Sequence, residues 1–103
     1  MAIDAAQNKR LRGVIIEVLY GRHTAQLSRA DHVMLWRIVN EIGCDVGENE
    51  LITTLQDLSD RSCVKYREER NRLTNRVEIS LIQLTPRGRD LAERTINDPA
   101  IQF

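Results

Sequence analysis

The sequence predicts an α+β domain built from three helices, a basic β-hairpin and a short closing helix. Three observations predict it. Leu51, Leu55 and Leu58 recur at i, i+4 and i+7, which places them on one helical face. Val64 and Tyr66 alternate with Lys65 and Arg67, and after an Arg- and Asn-rich stretch Val77, Ile79 and Leu81 alternate again, the period of paired strands. Thr85-Pro86-Arg87-Gly88 then offers a helix N-cap with proline at the first helical position.

The first helix is expected from about Asp4 to Tyr20, because Leu11, Val14, Ile15, Val18 and Leu19 fit the helical apolar stripe, with Gly21 as its stop. Arg22 to Leu27 reads as a polar loop. Ser28 is expected to cap the second helix, with Asp31 favouring its positive end, and Leu35, Ile38, Val39 and Ile42 form the buried face. Gly43 ends that helix, and Val46 plugs the short connection to a third helix running from Glu48 to Asp60, capped by Gly47. Connections this short force consecutive helices to pack together, so the second and third form a helix-turn-helix with the first across their apolar side.

For the hairpin, a two-residue turn at Asn71-Arg72 sets Tyr66 opposite Val77, Val64 opposite Ile79, and Arg67 opposite Arg76. A longer loop through Thr74 or Asn75 is the competing register. Ile82 and Leu84 break the alternation, which places a bulge near Leu81.

At 103 residues and 42% hydrophobic, one core suffices, since chains of this size bury roughly two-thirds of their unfolded surface. The expectation is a single domain over residues 1–97 and a tail over 98–103. Cys44 and Cys63 have no CxxC partner or histidine pair near them, so two buried reduced thiols are the expectation and a disulfide the alternative. No apolar run approaches the ~20 residues that span a bilayer, and no targeting signature is evident, so a cytoplasmic protein without membrane attachment is expected.

Charge sums to zero, but unevenly. Residues 1–60 hold six basic and nine acidic groups, residues 61–103 the reverse, and residues 61–76 alone hold six basic groups against Glu68 and Glu69. A neutral whole with one basic projection does not bind polyanions by bulk charge; any nucleic-acid contact has to be local.

The run Glu50-Leu51…Leu55…Leu58…Arg61-Ser62-Cys63-Val64, then a ribbon, then Leu84-Thr85-Pro86-Arg87-Gly88-Arg89-Asp90-Leu91, resembles the winged helix-turn-helix DNA-binding superfamily. More narrowly, the chain resembles small winged-helix proteins of Mu-like prophages. The resemblance implies a three-helix bundle, a two-stranded wing and a short C-terminal helix, and a DNA-binding protein of transcriptional-regulator type, cytoplasmic and dimeric. Two departures stand out. Serine occupies position 62, where the superfamily usually has glycine. Residues 48–60 contain Glu48, Glu50, Asp57 and Asp60 and no Lys or Arg, which sets a helix meant for the major groove against phosphate repulsion.

The candidate DNA-binding residues fall in two sets. In the wing, Lys65, Arg67, Arg70, Asn71, Arg72 and Arg76 gather like charges that gain when phosphate sits between them, unless they form a solvated loop neutralised by Glu68 and Glu69. In the third helix, Asn49, Thr53, Thr54 and Gln56 carry groups able to pair with adenine or touch a thymine methyl. Lys9, Arg10 and Arg12 offer a second basic patch or plain exposed helix positions. Trp36 and Met34 lie beside the core stripe, as core or subunit contact. The first helix with Ile96, Ile101 and Phe103 would serve a homodimer; the alternative is a tail folded back on its own domain. His23 and His32 have no nucleophile at a recognisable spacing, and no glycine-rich phosphate loop or metal spacing occurs, so neither an enzyme nor a cofactor is expected. The partner expected is double-stranded DNA. The rival reading is a winged-helix adaptor, a phage or prophage accessory protein that binds protein and not DNA.

Overall fold

The structure is a computed structural model and describes residues 4–27 and 29–103. It has four helices, α1 Ala5–Thr24, α2 His32–Ile42, α3 Glu48–Asp60 and α4 Pro86–Ala92, and an antiparallel pair, β1 Val64–Arg70 and β2 Val77–Leu84. This α+β arrangement is compatible with a winged-helix layout. Leu11, Ile15, Ile16, Leu35, Leu51, Leu55, Leu58, Ile79, Ile82 and Leu91 meet in one core cluster where the three long helices and the sheet converge.

α1 starts on a capping box: Asp4 accepts from the Gln7 amide and the Gln7 side chain accepts from the Asp4 amide. It does not stop at Gly21. The helix continues for another turn and closes where Gln26 turns left-handed (φ 56°), with Gln26 N–H on His23 C=O at 3.1 Å and Leu27 N–H on Arg22 C=O at 3.0 Å. A lone glycine costs a helix only about 1 kcal/mol against alanine, too little to end one whose next turn is hydrogen-bonded.

α2 begins later than expected. The cap assigned to Ser28 lies outside the described residues; Asp31 caps the helix, accepting from Met34 N–H at 2.8 Å. The reason is tertiary: Ala30 is drawn into a one-residue bridge with β2, accepting from Ile82 N–H at 2.9 Å, so the chain stays extended there. The buried stripe of α2 is therefore His32, Leu35 and Val39, and Ile42, expected inside, is 58% exposed. Gly43, with φ 109°, ends the helix as expected. Val46 is buried as expected, and Trp36 helps hold it: the indole N–H donates to Val46 C=O at 2.8 Å, while Asn40 Oδ1 accepts from Val46 N–H at 2.9 Å.

α3 runs between the expected limits, and Ser62 just beyond it does adopt positive φ (63°), the conformation glycine takes without strain. The hairpin register differs from the two-residue turn. Val64 faces Leu84, Arg67 faces Ser80, Glu68 faces Ile79, Glu69 faces Glu78 and Arg70 faces Val77. Residues 71–76 form the longer loop instead, because a tight primed turn needs two positive-φ residues and Arg72 is a poor one. Asn71 Oδ1 accepts from Leu73 N–H (2.8 Å) and Thr74 N–H (3.2 Å), and Asn75 takes positive φ (58°). The bulge expected near Leu81 is present: the register shifts opposite Tyr66, Leu81 has φ 55°, and beyond it Ile82 and Leu84 turn into the core.

Thr85 caps α4, accepting from Gly88 N–H at 3.2 Å, with Pro86 at its first turn. The last residues lie along α1. Gln102 N–H donates to Lys9 C=O at 3.0 Å, Arg12 donates to Ala100 C=O at 2.9 Å, and Ile101 is buried, so its side chain faces its own core. Cys63 is buried, Cys44 half-buried, and both are free thiols. No helix among the described residues is long and apolar enough to cross a membrane.

Candidate nucleic-acid interface

α3 divides its residues by face. Leu51, Thr54, Leu55 and Leu58 are buried, while Asn49, Thr53, Gln56 and Asp60 form an exposed stripe at i, i+4, i+7 and i+11. Thr54 is thus removed from the expected reading set: it is 5% exposed and its hydroxyl donates to Glu50 C=O at 2.8 Å. Helical periodicity sends it inward one position after Thr53.

The acids of α3 face the protein's own cations. Asp57 Oδ2 lies 2.7 Å from Arg12 Nε and 3.0 Å from Arg61 Nε. That pairing, with its bond to the tail, takes Arg12 out of the second basic patch considered for the first helix. Glu48 sits between His32 Nε2 at 2.8 Å and Arg76 at 2.7 Å. The hydrogen bond from His32, with Arg76 adding to it, holds the Glu48 carboxyl below the usual carboxylate range. The Glu50 carboxylate lies back against Gly47 at the helix start, where the helix dipole favours it. Asp60 is the exposed acid on the stripe.

Beside this stripe stands the hairpin. Gln56 donates to Glu68 on β1 at 3.1 Å, which ties the two together. Lys65 is exposed at the bulged end, opposite Gln83. Arg67 pairs with Glu69 at 2.8 Å, both side chains more than half exposed. Arg70 reaches across the loop to Asn75 C=O at 3.1 Å. Arg72 is exposed and has no such partner among the described residues. Arg76 is 65% exposed in its pair with Glu48. Asn71 holds the loop amides, so its side chain serves the turn. The ribbon thus carries Lys65 and Arg67 on one face and Arg70 on the other, with Arg72 in its loop. The α3 stripe of Asn49, Thr53 and Gln56 is tied to it through Gln56 and Glu68. Arg76, Asn71 and Thr54 make structural bonds.

His32 is the residue the sequence reading missed. It is 5% exposed, and its Nδ1 accepts from Ile79 N–H at 3.0 Å. A ring nitrogen that accepts a backbone N–H carries no proton, so the proton sits on Nε2 and is donated to Glu48. One imidazole thereby joins the first turn of α2, the first turn of α3 and β2. The spacing of 32, 35 and 39 on the inward stripe was the available signal. Among the described residues, no group of three or more His, Cys, Asp or Glu side chains is placed to hold a metal ion. Searches of protein-family models, curated proteins and solved structures find no match to this chain.

Proposed function

We propose that the chain is a winged helix-turn-helix protein that binds duplex DNA, of transcriptional-regulator type. The observation that carries this reading is the disposition of α3's charges. Asp57 is neutralised by Arg12 and Arg61, and Glu48 by Arg76 with a hydrogen bond from His32, which leaves a stripe of amides and a hydroxyl, ended by Asp60, facing outward next to the arginine ribbon. The repulsion that an acidic helix would meet between phosphates is thereby largely removed.

In this reading the ribbon holds the backbone and the stripe discriminates bases. Exposed ion pairs are worth about 0.2–1 kcal/mol, so Arg67 exchanges Glu69 for phosphate at little cost. Asn49 and Gln56 offer the bidentate amide that matches adenine, and Thr53 offers a methyl to thymine. The test is fluorescence anisotropy against random duplex across a salt series. With about four phosphates engaged, log affinity falls against log salt with a slope of roughly −3.6. Arg70→Glu with Arg72→Glu should weaken binding uniformly across sequences. No binding by the parent, or unchanged binding by the reversed protein, leaves the protein-binding adaptor as the reading.

A further inference from the structure

A groove of about 550 Å³ lies between the start of α2 and the outer edge of β2, away from the α3 stripe. Val33 and Trp36 form one wall and Val77 the other, while Asp31, Glu69 and Glu78 stand around it. The β2 edge here is open. Asn71 N–H bonds Arg76 C=O, so by the alternation of an antiparallel ladder Val77 and Ile79 turn their backbone groups outward. Ile82 N–H is taken by Ala30 and Ile79 N–H by His32. By the same alternation the N–H and C=O of Val77 and the C=O of Ile79 point to this open side. The sheet's third position is thus filled by one residue and one imidazole, then left vacant where α2 turns away.

Glu69 stands directly opposite Glu78, a like-charge cross-strand pair in which Arg67 offsets Glu69 at 2.8 Å while Glu78 accepts from the neutral Asn71 amide at 3.4 Å. Arg76, the basic side chain of the lining, is paired with Glu48. A cation arriving on the outer face beside Glu78 relieves that repulsion.

We propose that this groove takes an extended segment of a partner protein in which apolar and basic residues alternate. The segment pairs with Val77 as a short third strand. Its apolar side chains enter between Val33, Trp36 and Val77, and its lysines or arginines meet Glu78 and Glu69 on the opposite face. Period-2 alternation gives backbone pairing its register and the carboxylates set the sign of the partner. The two surfaces meet at Glu69, whose partner Arg67 stands on the duplex-facing ribbon, but strand pairing at Val77 does not require duplex binding.

The test titrates the acetylated, amidated peptide Val-Lys-Val-Lys-Val into the full chain. It reads the emission of Trp36, the one tryptophan, and the amide shifts of residues 77–80. Saturable changes in both are expected. Affinity should fall about tenfold for Val-Glu-Val-Glu-Val, and about tenfold for the lysine peptide on E69K/E78K, and the glutamate peptide should regain binding on that variant. Three results overturn the proposal: no saturable change; equal affinity after N-methylation of the central valine, which means charge adhesion without strand pairing; or concentration-dependent sedimentation of the chain alone with shifts at the same amides, which means a second copy occupies the edge.

Discussion

The carboxylates of α3 and the guanidinium groups of the hairpin are both paired, but the pairs differ in kind. Asp57 is gripped by two arginines from α1 and the α3 terminus, with side chains 17–34% exposed. Arg67 and Glu69 on β1 meet at similar distance with side chains 66% and 57% exposed. The first set fixes how α1 and α3 sit together, because breaking it strands a half-buried charge. The second is held weakly in high dielectric and can be exchanged for another anion. Distance alone does not separate a structural pair from an available one; burial does.

The largest expected effect comes from His32, which serves both regions. His32→Ala leaves Ile79 N–H without its acceptor in a buried setting and removes a partner of Glu48. It should destabilise by about 2–3 kcal/mol in urea unfolding. An unchanged midpoint would mean that water replaces the imidazole.

Asp57→Asn should cost about 1 kcal/mol, since Arg12 keeps only its bond to Ala100 C=O. The comparison fails if Glu69→Gln costs as much.

The pH dependence has a definite sign. Glu48 is held below its ordinary range in the folded protein, first by His32 and then by Arg76. Its contribution is therefore present above its unfolded value of about 4.3 and lost as pH falls through the lower folded value. Stability measured between about pH 5 and 3 should fall, and less steeply in His32→Ala than in the parent.

The smallest stability effect belongs to Glu69→Gln, expected within about 0.5 kcal/mol. Its consequence should appear in binding: Arg67 no longer gives up Glu69 when it meets phosphate, so affinity for duplex should rise by up to about fivefold at an unchanged salt slope. An unaltered affinity would show that Arg67 does not meet phosphate.

Much of the fold was legible because helices are local. The Leu51, Leu55 and Leu58 stripe located α3, Gly43 located the end of α2, and Thr85-Pro86 located α4, each through bonds spanning a few residues. The hairpin was legible as two strands but not in register. Its pairing depends on Asn71 and Asn75 building a long loop, and on which apolar residues the core accepts. The same limit hid the start of α2, where Ala30 is claimed by Ile82, fifty-two positions away. For the candidate site, residue types were legible and availability was not: Thr54, Asn71 and Arg76 carry suitable chemistry and are spent on internal bonds.

Residue order alone determined the succession of elements, the apolar stripes and the concentration of arginine between positions 61 and 76, since periodicity and composition are properties of neighbours along the chain. Tertiary structure decided which charges are cancelled. Arg12 meets Asp57, Arg76 meets Glu48 and His32 meets Ile79 across 45, 28 and 47 positions, and only packing brings such distant groups within bonding distance.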